Sequence, residues 1–214
     1  MFEFIDVKYK NILNIPKLEI GEENVTCLVG ESGGGKTTIL KLLNKMLSPT
    51  EGVILYNGLN LDKIESVKHR REIVMLSQNP AIFEGDIRNN LIIGLKFHEA
   101  KIPSDVSLYE ILEKVKLKKK LDDLPNFLSG GEKQRLALGR ILLLDPKIYL
   151  FDEPSAALDS ETEKFIIEML IEVGRVGNKK IVMVTHSSEI AKKYSDKLIE
   201  ISTGNIISER YIYE

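Results

Sequence analysis

Nine consecutive residues constrain this chain more than any others: Gly30-Glu31-Ser32-Gly33-Gly34-Gly35-Lys36-Thr37-Thr38. They fit the spacing G-x-x-x-x-G-K-[ST], with Gly30 and Gly35 as the framing glycines and Lys36 and Thr37 behind them. Glycine at such positions lets several backbone N–H groups converge on one anion, a nest that a Cβ would obstruct. A helix opening near Lys36 adds its positive end. Lys36 has the reach for the outer phosphates of a nucleotide, and the Thr37 hydroxyl is a ligand type for Mg²⁺. The flanks agree with this reading: Val25-Thr26-Cys27-Leu28-Val29 is a short β-branched apolar run, and Thr38 to Leu47 carries apolar residues at helical spacing. A glycine-rich turn that holds nothing requires neither flank.

A chain of 214 residues with 43% apolar content can bury a sizeable core as one large domain, or as a domain carrying a subdomain. Its 30 basic and 32 acidic side chains nearly balance, which removes the bulk-charge argument for a nucleic-acid partner. Cys27 sits inside an apolar strand pattern and reads as core filler, compatible with a reducing cytoplasm. No apolar run approaches membrane-spanning length, and the start Met1-Phe2-Glu3-Phe4-Ile5-Asp6 lacks a targeting pattern, so the expectation is a chain soluble by itself.

Strand and helix patterns alternate on both sides of a helical block. Residues 2 to 9 read as a strand, with Glu3, Ile5, Val7 and Tyr9 on one face and Phe2, Phe4, Asp6 and Lys8 on the other. Strand signals also cover 17–29 around the turn at Gly21, then Val53–Tyr56 with an Asn57-Gly58 hairpin signal, and Ile73–Ser77. From Asp86 to about Leu124 the periodicity is helical, with a lysine run at Lys116, Lys118, Lys119 and Lys120 that fits a solvated face or, as a lesser alternative, a membrane surface. The alternation resumes with a helix over Gly131–Leu144, strands at Lys147–Phe151, Ile181–Thr185 and Lys197–Ile201, and a last hairpin at Thr203-Gly204-Asn205. The expectation is an α/β, mostly parallel sheet with an N-terminal antiparallel β-subdomain: one domain over 1–214, its core at 1–78 and 131–214 and an inserted helical subdomain at 79–130.

Two further stretches carry chemistry. Ile148-Tyr149-Leu150-Phe151-Asp152-Glu153 is an apolar strand ending in two acids, and in an open parallel sheet such ends line the ligand crevice. Asp152 is then the acid that holds Mg²⁺, and Glu153 is placed to polarise an attacking water; the alternative is a pair of ordinary solvated loop acids. Leu128-Ser129-Gly130-Gly131-Glu132 contains a capping box from Ser129 to Glu132, which does not by itself require two glycines; a helix start stripped of side chains is also an anion site. Glu132, Lys133 and Gln134 read as helix-surface residues.

With these motifs in this order, nearly the whole chain resembles the nucleotide-binding domain of an ATP-binding-cassette (ABC) ATPase. The resemblance implies that Gly30 to Thr38 (Gly30, Glu31, Ser32, Gly33, Gly34, Gly35, Lys36, Thr37, Thr38) is the Walker A loop and Ile148 to Asp152 the Walker B strand. It implies Glu153 as the catalytic base, Gln78 as the Q-loop glutamine near Mg²⁺ and the attacking water, and His186 as the switch histidine facing the γ-phosphate. Tyr9 resembles the aromatic that stacks on adenine, although a core aromatic fits its strand face almost equally well. Gln78 also suits a strand end, and His186 a helix-start turn. Ala156-Ala157-Leu158-Asp159 resembles the D-loop, with Ala156 where serine is usual, and Gly34 stands where a small side chain is more common.

The same resemblance implies an ATPase using ATP and Mg²⁺, in which Ser129, Gly130 and Gly131 act on the nucleotide of a partner cassette. It implies two ATP molecules in a head-to-tail dimer, and a separate transmembrane permease that places the chain on the inner face of the cell membrane. The permease would dock beside Gln78, near stretches such as Asn79–Phe83 and Asp86–Leu91 that look exporter-like. The glutamate-and-glycine segment that exporters often carry before the signature is missing from Leu121–Phe127, which leaves the direction of transport open. Two other readings are an ABC ATPase working on DNA or ribosomes, and a nucleotide-dependent dimerisation switch with little turnover. Lack of a long coiled coil, of a second cassette and of basic excess counts against the first, and Glu153 against the second.

Overall fold

The computed structural model describes residues 1–212, so the last two residues of the 131–214 segment lie outside it. The chain begins β1 (Phe2–Tyr9), β2 (Leu13–Ile20), β3 (Val25–Val29), α1 (Lys36–Leu43), β4 (Glu51–Tyr56), β5 (Leu59–Asn60), α2 (Ser66–Glu72) and β6 (Ile73–Leu76). It continues through α3 (Ile87–Phe97), α4 (Asp105–Lys114), α5 (Gly130–Leu144), β7 (Ile148–Asp152) and α6 (Ser160–Val176). Last come β8 (Lys180–Val184), α7 (Ser188–Tyr194), β9 (Lys197–Ser202) and β10 (Asn205–Tyr211). Two compact units result: one of residues 1–75, 147–153 and 171 onward, the other of 76–146 and 154–170.

The first unit holds both sheets. The six-stranded sheet runs β10-β9-β3-β8-β7-β6, with β3 parallel to β8 and β9, and β7 parallel to β8. Such strands are covered on both faces, which is why β7 is buried throughout and reads as a continuous apolar run rather than an alternation. The four-stranded sheet β2-β1-β4-β5 is antiparallel, and its β4–β5 hairpin turns at Asn57 and Gly58, both with positive φ as a two-residue primed turn demands. Phe2, Phe4 and Ile15 of this sheet share one core with Leu28, Leu150 and Val184 of the other.

The strict alternation expected in β1 needs correction. Phe2 and Phe4 point into the core, but so do Val7 and Tyr9, while Ile5 and Asp6 are exposed. Asp6 has a φ of 49°, and the pairing with β4 shifts register between Ile5 and Lys8. This bulge inserts a residue and exchanges the two faces midway along the strand. Across from it stands Gly52, where a Cβ would run into the Asp6 carbonyl.

The second unit is helical. The expected boundary at residue 131 also shifts, because α5 belongs with the helices: a Cβ on Gly139 would sit 3.0 Å from side-chain atoms of both Leu91 and Ile111. Arg140 adds polar ties, its Nε donating to the Asn90 carbonyl at 2.8 Å while its guanidinium lies 4.7 Å over the Phe83 ring. Burial pulls the Arg140 pKa down to about 10. Among the described residues no helix is long and apolar enough to cross a membrane.

Candidate functional site

The phosphate loop is shaped by the strand behind it. Gly30 (φ 139°) leaves β3 so close to β9 that any Cβ would collide with the Ile201 carbonyl, and Gly35 (φ 102°) would drive one into Leu13. The loop is closed by Gly34 N–H donating to Glu31 O at 3.2 Å and anchored from outside by Gly204 N–H donating to Gly34 O at 3.1 Å. α1 starts at Lys36 with Gly35 as its N-cap, without a side-chain cap and without an acid in the first turn. Its orphan N–H groups therefore face the loop with nothing from a side chain to satisfy them.

Lys36 is only 5% exposed, and its Nζ donates to the carbonyls of Gly30 at 2.8 Å and Glu31 at 2.7 Å. Burial lowers its pKa, an effect opposed by the charges of Glu153 and Asp152. At the C-terminal end of β7, Asp152 accepts a hydrogen bond from the Thr37 hydroxyl at 2.9 Å, so strand end and helix start meet. Burial raises the carboxyl pKa of Asp152, while the Thr37 donor lowers it. A hydroxyl and a carboxylate are hard oxygen donors, a set that fits Mg²⁺, which keeps most of its shell for phosphate and water.

Glu153 follows with a φ of 51°, unusual for a residue with a long side chain, and is held there by its N–H donating to Val184 O at 3.1 Å. Its carboxylate lies 2.8 Å from His186 Nε2. The parallel register explains the meeting: Asp152 stands opposite Val184, so the residues just past the two strand ends, Glu153 and His186, emerge together.

In the second unit, Ser129 caps α5 in a full capping box. Its Oγ accepts from Glu132 N at 3.3 Å, and Glu132 Oε2 accepts from Ser129 N at 2.9 Å. The glycines have separate reasons to be there. A Cβ on Gly131 would lie 2.9 Å from the Ala157 carbonyl and 3.1 Å from Leu158, so this glycine lets the 156–159 segment pack on the helix start, while Gly130 has only Ala157 Cβ nearby at 3.8 Å. Asp159 accepts from Thr162 N at 3.0 Å at the start of α6.

Two expected placements change. Tyr9 is 9% exposed and joins the core cluster of the first unit, because the β1 bulge turns it inward; the adenine contact that the resemblance implies for it is an expectation that burial alone does not test. Gln134, read as a surface residue, is 1% exposed, and its Oε1 accepts from Ala157 N at 3.3 Å. The signal for it was present, since Gln134, Leu138 and Ile141 lie on one buried helical stripe. Gln78 is exposed, two residues beyond β6. Glu31 and Ser32 are exposed on the loop, and Thr38 is half-buried in α1.

A family model for ABC transporters matches residues 13–156. The chain belongs to the ABC transporter family. It is 32% identical over 219 residues to the methionine import ATP-binding protein MetN of Haemophilus influenzae, covering 100% of this chain and 63% of that protein. The heterocyst differentiation ATP-binding protein HepA of a Nostoc species is 38% identical over 204 residues, which covers 92% of this chain and 33% of that protein. The chain thus spans under two thirds of these relatives. Among solved structures, the ATP-binding cassette MJ0796, dimeric and bound to ADP and Pi in a post-hydrolysis state, superposes with a TM-score of 0.87 at 25% identity over 100% of both chains. The α/β core with its antiparallel β-subdomain and inserted helices is therefore the ABC cassette fold.

Proposed function

We propose that this cassette binds and hydrolyses ATP as the energy-supplying subunit of an ABC transporter. The observation that carries the reading is the convergence, within one unit, of the Lys36 loop, the Thr37–Asp152 pair and the Glu153–His186 pair. In this reading Lys36 exchanges the carbonyls of Gly30 and Glu31 for phosphate oxygens, and the N–H groups of the loop and of α1 take the rest of the anion. Thr37 and Asp152 would hold Mg²⁺, which when bound neutralises phosphate charge and favours attack on the γ-phosphorus.

Glu153 accepts the proton of the attacking water as its oxygen bonds to the γ-phosphorus, and the bond to the bridging oxygen breaks to leave ADP. His186 fixes the rotamer of Glu153 through Nε2 and so positions the base. Ser129, Gly130 and Gly131 serve the nucleotide of a second cassette, because a capped α5 presents N–H groups and one hydroxyl with little side-chain bulk. Two cassettes then close head to tail over two ATP, hydrolysis releases them, and the motion is passed to a separate permease that holds the chain on the inner face of the membrane.

The test is the solution mass of the Glu153→Gln chain by light scattering, with and without ATP, beside wild-type turnover. ATP-dependent dimerisation of the variant together with Mg²⁺-dependent hydrolysis by wild type is the expected result. A variant that stays monomeric and hydrolyses ATP like wild type would refute the role of Glu153.

A further inference from the structure

The helical unit holds a cavity of about 730 Å³ that the proposed ATPase chemistry does not use. That volume lies within the range of small-molecule sites. Its apolar wall comes from Tyr109 and Leu112 of α4 with Leu117 beyond it, and Thr162 of α6 adds a hydroxyl. The rest of the lining is strongly cationic: Lys116, Lys118 and Lys119 follow α4, and Arg135 projects from α5, against the one acid Glu113. Three members of the lysine run, Lys116, Lys118 and Lys119, thus line this concavity, with Lys116 and Lys118 also exposed to solvent.

Three details separate this place from a mere cluster of surface lysines. Lys116 has a φ of 52°, which bends the chain directly after α4, and its Nζ sits 3.8 Å over the Phe165 ring, so its charge is fixed in place. Arg135 Nε is buried and has no hydrogen-bond partner among the described residues, a donor that calls for an acceptor. Lys119 is already spoken for in part: its Nζ lies 3.0 Å from the carboxylate of Glu132, the residue that completes the cap of α5.

We propose that this cavity is a binding site for a small organic anion, one carrying a phosphate, sulfonate or carboxylate on an apolar or aromatic body. The body lies on Tyr109, Leu112 and Leu117, and the anionic group takes the lysines and Arg135. Charge complementarity and the apolar wall both contribute, so inorganic phosphate alone is a poor ligand. Because Lys119 is shared with Glu132, an occupant competes with the α5 cap for that ammonium.

The probe is 1-anilinonaphthalene-8-sulfonate, titrated by fluorescence against the full chain, with the neutral N-phenyl-1-naphthylamine and inorganic phosphate as comparisons. The expected result is one saturable site per chain that the neutral compound fails to match. Lys116→Gln/Lys118→Gln should weaken it about tenfold, the equivalent of losing two charge-assisted contacts, and Lys118→Gln alone, which leaves the Phe165 contact intact, about threefold. Glu132→Gln keeps a capping-box side chain but releases Lys119, so it should tighten binding about threefold. Lys63→Gln/Lys68→Gln makes the same charge change on α2 and its approach and should leave the probe unaffected. Equal weakening by both double variants, equal binding of the neutral compound, displacement by phosphate alone, or no response to Glu132→Gln would each overturn the proposal.

Discussion

Ser129 can be made to separate what holds the signature helix from what the helix does. Its Oγ accepts from Glu132 N at 3.3 Å, and the reciprocal bond from Ser129 N to Glu132 Oε2 is 2.9 Å. The side-chain half is the longer one, so Ser129→Ala should cost about 1 kcal/mol of stability, the middle of the range for a lost N-cap. For a domain of this size that is a fall of about 2–4 °C in Tm. Ser129→Asp should cost less than half of that, because aspartate caps as well as serine and its charge suits a helix N-terminus, even beside Glu132. The functional effect runs the other way. A hydroxyl that accepts from Glu132 N still has its own hydrogen to donate to a phosphate; a carboxylate has none and adds a like charge. At about 4 Å and an effective dielectric near 20, that charge costs about 4 kcal/mol, or roughly a thousandfold in the dimer constant. The assay is thermal unfolding beside light scattering with ATP, in the Glu153→Gln background. If Ser129→Asp still dimerises like its parent, the signature does not meet phosphate in the partner, and the head-to-tail reading fails whatever the melting curves show.

Other expectations follow from the same geometry. Gly34→Ala brings a Cβ to 3.1 Å from Glu31 O without a left-handed φ, so ATP affinity, read with a fluorescent analogue, should fall about threefold or less; Gly35→Ala, with φ 102° and a collision with Leu13, should lose at least about tenfold. Tyr9→Ala empties a core site and should cost about 3 kcal/mol in urea unfolding while changing ATP affinity less than about twofold, whereas a large affinity loss would support the adenine contact. His69 is 2% exposed, with Nε2 2.7 Å from Leu43 O, and burial lowers its pKa below 6.5. The unfolded chain then binds the proton more readily, so stability should decline as pH falls through about 6.5 toward the lower folded value, and His69→Gln should flatten that slope in denaturant titrations.

What the sequence makes legible here is what is local. The glycine-rich strand–loop–helix around Gly30–Thr38, the capping box at Ser129 and the Asn57-Gly58 turn are each written in residues a few positions apart, and each of these local structures is found where its spacing puts it. The β1 face reversal is not local: it depends on Gly52 of β4 yielding room to the Asp6 carbonyl, which no alternation within residues 2–9 can encode. Which face of β1 Tyr9 occupies is set by that non-local contact. The affiliation of α5 with the helical unit likewise rests on Gly139 meeting Leu91 and Ile111, a packing fact between distant segments. Glu153 and His186 could be named individually as strand-end residues, but their contact requires β7 and β8 to be neighbours in a fixed register.

One short stretch of chain leads directly from the proposed base to the segment that packs on the start of α5. Glu153 is the last residue of its segment in the first unit, and Pro154 begins a segment of the second. Within the next few residues Ser155 donates to Glu163 at 2.7 Å, Ala157 N–H donates to Gln134, and Asp159 caps α6. The proposed base is therefore covalently tied, through a handful of residues, to the packing of Gly131 at the head of the signature helix. Glu153 itself adopts a left-handed φ that a non-glycine residue occupies at a cost of about 1 kcal/mol or more, held by Val184 O on one side and by His186 on the side chain. A residue held so is sensitive to small changes in the segment that follows it. Glu153 in the first unit and the residues that pack on Gly131 in the second are thus immediate neighbours in sequence.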